Sequence, residues 1–333
     1  MERRVSMADV AAVAHVSGQT VSRVVNASPR VDPDTRARVE AAMAQLGYRP
    51  HRAARALRTG RTQTIGLLVS TLATVGNSRM LQAVADAAAS RGYALTVVTL
   101  GAVAEVSAAF ERLSEQGVDG VVVLNEATAA AGETPAPAGL RLVVVDAPPD
   151  RDARGRAGIV QSDHAAGART ATAHLLGLGH RTVHHLAGPA GSFAAAERER
   201  GWREALAAAR VEPPPIARGD WTAASGYAVG AGLAADPEVT AVFAANDQTA
   251  LGAIRAFEEA GRRVPDDISI VGFDDIADAA DYRPPLTTVR QDFDRLGELA
   301  VAALVAGIED GEAGFEIVPT ALVVRESTAR PPA

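Results

Sequence analysis

Cysteine and lysine are both missing from this chain of 333 residues. Without thiols there is no disulfide framework, no thiolate metal site and no cysteine nucleophile. Without lysine every basic side chain is arginine, a bias that goes with the many alanines and that suits phosphate forks without requiring them. Aromatic residues make up only 4% of the chain against 47% hydrophobic residues overall, the composition of a globular protein. No run of eighteen apolar residues occurs, and the opening "MERRVSMADV" turns polar at once, so neither a membrane span nor a secretory core is expected. The chain is therefore expected to stay in the cytoplasm, away from membranes, folded as two or three domains.

Signs of catalysis are equally scarce. No G-x-G-x-x-G follows the first apolar strand, which argues against a dinucleotide site, and no G-x-S-x-G or P-loop is present. Asp274 and Asp275 are adjacent at one strand end, so they point apart and cannot flank a scissile bond. His184 and His185 diverge for the same reason, which disfavours a metal site. No enzyme activity, cofactor or metal is expected.

What is present begins with an uneven charge. The net charge of -7 conceals eleven arginines against five acids (Glu2, Asp9, Asp32, Asp34, Glu40) in residues 1–63, hence +6 there and -13 in the remainder. A basic head on an acidic body points to nucleic acid at one end.

Three short helices can be read in that head. Ser6 with Asp9 opens the first, whose apolar positions Val10, Val13 and Ala14 share a face. Ser17 caps the second after a tight turn. Asp32-Pro33 caps the third, where Val39, Ala42, Met43 and Leu46 fall at helical spacing before Gly47 stops it. In the second helix Val21, Val24 and Val25 form the inward stripe, leaving Gln19, Ser22, Arg23 and Asn26 on the other side. Arginine can fork onto guanine, glutamine can pair with adenine, and hydroxyls can take phosphates. Two helices joined by a short turn, with such a face on the second, describe a helix-turn-helix. On spacing alone, a solvated polar face on a small bundle stays equally open.

After Pro50, "HRAARALRTGRTQT" sets Arg52, Arg55, Arg58 and Arg61 at every third position around Leu57. Its plain reading is a short basic linker helix, marginal by itself.

From Thr64 the runs "IGLLVS", "ALTVVTL", "GVVVLN", "LRLVVVD", "RTVHHLAG", "VTAVFAAND" and "ISIVGFDD" alternate with alanine-rich helical stretches. Near-continuous apolar strands between helices predict parallel sheets covered on both faces. Two such units run over roughly 64–160 and 162–288, and "TTVRQDF" suggests that the chain crosses between them more than once. Polar residues where strands run out mark the ligand edge of such sheets. Ser70, Asn125, Asp146, Asn246 and Asp274 stand there, a donor and acceptor set suited to hydroxyl groups. Trp221 could stack on a sugar face and Arg198 could fork hydroxyls or a carboxylate. Against this, Trp221 and Phe293 also suit a core, Arg198 a charged surface, and Asp247 and Asp275 read as helix caps.

The segments "MADVAAVAHVSGQTVSRVVN" and "VDPDTRARVEAAMAQLGYRPHRAARALRTG" resemble, nearly position for position, the DNA-binding head of the LacI/GalR family of bacterial repressors. The resemblance implies that Gln19 and Arg23 contact bases while Ser17, Thr20, Ser22 and Asn26 position the helix on phosphates. It extends the DNA-facing set to Ser6, Gly18, Arg30, His51 and Ala54. A family member of closely similar pattern has tyrosine where this chain has Gly18, so the half-site should differ at that point. The resemblance also makes the basic segment a hinge helix that pairs with its dimer mate and wedges Leu57 into the minor groove.

"GDWTAASGY", "AANDQTALGAIRA", "VPDDISIVGFDD" and "PPLTTVRQDF" resemble the family's sensor core. Carried over position by position, Ser70, Asn125, Asp146, Arg198, Trp221, Asn246, Asp274, Gln291 and Phe293 match effector-contacting residues, and Ala194 replaces a serine. The implied effector is a β-galactoside or a related β-linked disaccharide.

The expected architecture is an N-terminal all-α helix-turn-helix head plus hinge helix and an α/β two-lobed sensor core, periplasmic-binding-protein type I-like, with parallel doubly wound sheets. The boundaries fall at 1–49 for the head, 50–62 for the hinge and 63–333 for the core. The first lobe takes about 63–161 and 293–320, the second about 162–290 and 321–330. The expected partners are a palindromic operator DNA, a sugar effector and a second copy of the chain. No leucine-heptad tail is seen, so a homodimer is expected rather than a tetramer. A purine-type corepressor, or a sugar-binding protein without DNA function, are the alternatives.

Overall fold

The computed structural model describes residues 5–25, 28–48, 60–100, 106–124, 127, 137, 139–148, 157–309, 311 and 314–332. Its backbone contacts divide it into two units, Met1–Thr62 and Gln63–Ala333.

In the first unit, α1 (Met7–Ala14) starts with a reciprocal capping box in which Ser6 and Asp9 each satisfy the other's backbone amide. It stops at His15, whose left-handed backbone (φ 53°) turns the chain toward α2 (Gly18–Val25). The Ser17 hydroxyl accepts from the Thr20 amide at 3.1 Å and so caps α2. Asp32 accepts from the Thr35 amide at 2.9 Å ahead of α3 (Pro33–Gln45). Val10, Ala11, Ala14, Val21, Val24, Val39 and Ala42 form one small core, with Val25, Met43 and Leu46 half-buried against it. Val13 departs from the expected stripe. It is exposed, and Ala11 takes the inward position because the helix is met from its other flank.

The second unit holds two six-stranded sheets. The first comprises β1 (Thr64–Val69), β2 (Ala94–Thr99), β3 (Gly120–Leu124), β4 (Arg141–Val145), β5 (Ala157–Ser162) and β11 (Phe315–Val318). Their order is β11-β5-β4-β3-β1-β2, every pair parallel. α4 (Val75–Ser90) and α10 (Phe293–Glu309) cover one face, where Ile65, Leu67, Val122 and Leu124 meet Met80, Val84, Leu296 and Leu304. α5 (Val106–Glu115) covers the other with Phe110 and Leu113 on Leu68, Val121 and Val123. Burial from both sides is the physical reason these strands read as unbroken apolar runs.

The second sheet is built from β6 (His184–Ala187), β7 (Ala217–Arg218), β8 (Ala241–Ala244), β9 (Ser269–Asp274), β10 (Thr287–Arg290) and β12 (Ala321–Val323). The order is β12-β10-β9-β8-β6-β7, parallel except for the antiparallel edge strand β12. α6 (His164–Gly177) and α7 (Phe193–Ala208) pack on one face through Trp202 and Leu206. α8 (Ala223–Ala234) and α9 (Asp247–Glu259) pack on the other through Ile254 and Phe257. The chain passes between the sheets at 162–164, 290–293 and 318–321. Three short crossings put the C-terminal edges of both sheets face to face.

Candidate functional site

On α2, Gln19 and Arg23 are exposed one turn apart, while Thr20 and Ser22 are half-buried. Ser6 gives its hydroxyl to Asp9 at 2.7 Å, and the Ser17 hydroxyl lies 2.9 Å from that of Thr20, so both serve the helix starts. Arg30 is exposed just before α3. A Cβ built on Gly18 meets nothing within 4 Å. The fold does not demand glycine there, so its effect is to leave a side chain off the exposed face. Asn26, His51, Ala54 and Leu57 lie outside the described residues.

The second unit has a cleft between its sheets. Asp146, Arg198, Trp221, Asn246, Asp274, Gln291 and Phe293 line it together, with Thr74, Gly76, Asn77, Met80, Ser192, Ala194 and Leu296. Ser70 follows β1 but does not line the cleft, and Asn125 lies outside the described residues. The lining comes from strand ends (Asp146, Asn246, Asp274) and from the first turns of α4, α7 and α10. Asp146 (φ 59°), Trp221 (φ 74°) and Asp274 (φ 115°) all hold left-handed backbones, a conformation costly for residues with side chains that gathers at binding sites.

Arg198 is the centre of the polar wall. It is 4% exposed and lies over the Phe273 ring at 3.9 Å, with the Trp221 ring 5.4 Å away. Nη1 donates to the Ala245 carbonyl, and Nη2 stands 3.5 Å from Asp274 Oδ1. Gln291 Nε2 donates to the same carboxylate oxygen at 2.6 Å. Asn246 caps α9 through its Oδ1 and spends its Nδ2 on the Trp221 carbonyl at 3.0 Å. The indole lies so close to Gly188 that any Cβ there would strike the ring. Gly188 carried no signal in the sequence, because the contact joins residues 33 positions apart. Val75, at the start of α4, donates its amide to Gln248 of α9 at 3.1 Å and so ties the two lobes at the cleft rim.

Two carboxylates depart from the expected capping role. Asn246, not Asp247, caps α9. Asp247 is fully buried and accepts from the Ile276 amide at 2.9 Å and from the Thr288 hydroxyl, tying the start of α9 to β10 and to the segment after β9. Asp275 holds Arg290 and Arg325 at 2.6 Å each and so anchors the C-terminal segment. Burial pushes the Asp274 carboxyl up, opposed by Arg198 and Gln291. Burial and then the charge of Asp274 raise Asp247 well above the usual carboxylate range. Two neighbouring buried acids with raised carboxyls, Asp274 on the cleft lining and Asp247 behind it, are the kind of perturbation that gathers at functional sites.

Beneath the cleft wall, His185 is buried between Trp202 and Phe243, stacked on the latter at 4.8 Å. Its Nδ1–H donates to the Phe243 carbonyl at 2.9 Å, and burial pushes the imidazole down to about 4 from 6.5. The folded state therefore takes up this proton less readily than the unfolded chain. Stability is intact above pH 6.5 and is lost as pH falls toward 4, by about 3 kcal/mol over that window. Thermal melts of a His185→Leu variant should show a flatter acid limb between those values. An unaltered acid limb would contradict the assignment.

Among the described residues no cluster of three metal-ligating side chains occurs, and no helix is long and apolar enough to cross a membrane. Residues 6–51 match the model of bacterial regulatory proteins, lacI family, and residues 172–328 match a periplasmic binding protein-like domain. The chain is 39% identical to the lactose operon repressor of Escherichia coli (strain K12), over 98% of this chain and 91% of that one. The chain belongs to the LacI family of bacterial regulatory proteins. It is also 37% identical to the HTH-type transcriptional regulator CelR of Thermobifida fusca, over 98% of both chains. The lac repressor dimer bound to operator and the anti-inducer ONPF superposes with a TM-score of 0.85 at 36% identity, covering 98% of this chain and all of that one. The complex of CelR with cellobiose superposes with a TM-score of 0.74 at 35% identity, covering 97% and 100%. A LacI-family head and a two-lobed α/β core thus account for nearly the whole chain.

Proposed function

We propose that this LacI-family regulator is a repressor that grips a palindromic operator as a homodimer and lets go when a β-linked disaccharide enters the cleft. The observation that carries the sugar reading is the cleft wall itself. Seven residues expected from the sequence converge there, pairing acids, amides and a guanidinium with the aromatic side chains of Trp221 and Phe293. Such a wall offers donors and acceptors to hydroxyls and flat surfaces to sugar rings. The relatives support the same class, since lactose and cellobiose are both β-linked disaccharides. Ala194 stands in the cleft where the family resemblance leads one to expect a serine, so the sugar itself need not be either of these.

Two lobes joined by short crossings can take more than one spacing, and the disaccharide would select among them. A ligand that binds one spacing better than another shifts the population toward it. Residues 50–62 would carry that shift to the head as a paired hinge helix, with Leu57 as the wedge. Action on DNA places the protein in the cytoplasm, and the chain performs no catalysis.

Arg23→Ala should abolish discrimination between operator and random DNA at a cost of about 1–3 kcal/mol per lost bidentate contact. Binding titrations against both DNAs read this directly, and unchanged discrimination would remove α2 as the recognition helix. Asp274→Ala should keep operator binding yet no longer release DNA on adding sugar. Normal release in that variant would refute the cleft as effector site. A thermal-shift screen over mono- and disaccharides and purines identifies the effector, because a ligand bound to the folded state raises its melting temperature. A purine that raised it and tightened DNA binding would replace the inducer reading with a corepressor.

A further inference from the structure

The polar wall holds one residue that no sequence motif marked. His164 is the first residue of α6, immediately after the 162–164 crossing, and only 2% exposed. Its Nε2 lies 2.9 Å from Asp146 Oδ1, while Nε and Nη2 of Arg198 both lie 3.4 Å from its Nδ1. Arginine can only donate, so Nδ1 is the acceptor and Nε2 carries the hydrogen that Asp146 receives. The ring thus stands between an acid that ends β4 in the first lobe and a guanidinium on α7 in the second. From Arg198 the chain of contacts continues to Asp274 and Gln291, so it links two of the three crossings between the lobes.

We propose that His164, acting through Asp146 and Arg198, is a specificity-determining positioning residue for the cleft, a proposal that rests on the sugar reading above. The Ser162 amide and the imidazole both bind Oδ1 of Asp146, and among the described residues no partner takes Oδ2. The carboxylate is therefore turned with one oxygen fixed and the other available to a hydroxyl. On the opposite side the imidazole lone pair holds Arg198 by Nε and Nη2, while the Ala245 carbonyl holds Nη1 and Phe273 supports the plane. His164 sets the spacing and angle between an acceptor on one lobe and a donor plane on the other. That spacing decides which pair of hydroxyls can be bridged.

Glutamine can donate and accept at about the reach of the imidazole, whereas phenylalanine keeps only the shape. Calorimetric titration with lactose, cellobiose and any other disaccharide that raises the melting temperature in the screen should show His164→Phe weakened roughly 10- to 100-fold for the sugar that binds, and His164→Gln within about fivefold of the unmodified protein. Cooperative melting of both variants shows that they fold. In the unmodified protein, ¹⁵N shifts of the His164 ring should report the Nε2–H tautomer and should move on saturation with the disaccharide. This second measurement decides the matter if the phenylalanine variant does not fold. Equal affinities for the phenylalanine variant and the unmodified protein, the opposite tautomer, or ring shifts unmoved at saturation would each overturn the proposal. An unmodified protein whose melting temperature no disaccharide of the screen raised would overturn the sugar reading and this proposal with it. Binding that is indifferent to residue 164 would overturn this proposal alone.

Discussion

Arg198→Ala is expected to destabilise the core by about 3–5 kcal/mol, the usual cost of removing one partner from a buried ion pair. The reason lies in what the guanidinium leaves behind. Asp274, 6% exposed, would keep only the Gln291 amide against its charge, the Ala245 carbonyl would lose a donor, and His164 Nδ1 would face an empty space. Arg198 is the strongest influence holding the Asp274 carboxyl down against burial, so its loss should push that carboxyl further up. At about 2–4 °C per kcal/mol for a domain of this size, the melting temperature should fall by roughly 6–20 °C. Arg198→Lys keeps the charge but not the planar fork, and should lie between. The double variant Arg198→Ala/Asp274→Ala should cost less than the two single changes together, since the stranded acid is then gone. A single variant melting within a degree or two of the unmodified protein would show that the pair carries little. The same variant should also lose disaccharide binding, which a calorimetric titration measures separately from stability.

The sequence made the head and the sheet cores legible because their signals are local. Ser6 with Asp9, Asp32 with Thr35, and the valines of α2 lie within a few residues of what they contact. β1 and β3 read as apolar runs because helices bury both of their faces. Asp146, Asn246 and Asp274 were legible in the cleft because open parallel sheets bind at the ends of their strands. What the sequence concealed depends on distant partners. β5 reads "AGIVQS", and its buried Gln161 and Ser162 pair with β11, more than 150 residues on. β7 is two residues long, too short for any periodicity. Asp247 has the spacing of a cap, and only the position of Thr288, 41 residues on, makes it a tie between α9 and β10. His164 looked like one more residue of an alanine-rich helix, since Asp146 and Arg198 are 18 and 34 positions away. Ser70 illustrates the converse: it stands at the expected position just after β1 but is not among the residues that line the cleft.

Distant packing also makes a glycine that does not line the cleft a strong determinant of it. α8 and α9 cross with small residues facing each other: a Cβ on Gly226 would run into Thr249, and one on Gly230 would lie 2.8 Å from the Ala253 Cα. Gly252 is the tightest of the set, where a methyl would collide with the Ala223 carbonyl oxygen and stand 2.6 Å from the Tyr227 amide nitrogen. Both obstacles are backbone, so no side chain can swing aside. Gly252→Ala should therefore force the helices apart and cost about 3 kcal/mol, at the upper end of ordinary overpacking. The cleft should register the shift, because Asn246 opens α9 and holds the Trp221 carbonyl just ahead of α8. Parting the helices strains that bond and tilts the indole off Gly188, so disaccharide affinity should fall although residue 252 does not line the cleft. Gly232 supplies the control on α8 itself. A Cβ there meets nothing within 4 Å, and Gly232→Ala should be neutral or stabilise by about 0.5–1 kcal/mol through the lower freedom of the unfolded chain. Chemical denaturation of the two variants separates a packing effect from a general dislike of alanine in this helix pair. Equal midpoints for Gly252→Ala and Gly232→Ala would mean that the crossing has room to give, and that the Asn246–Trp221 link does not depend on it.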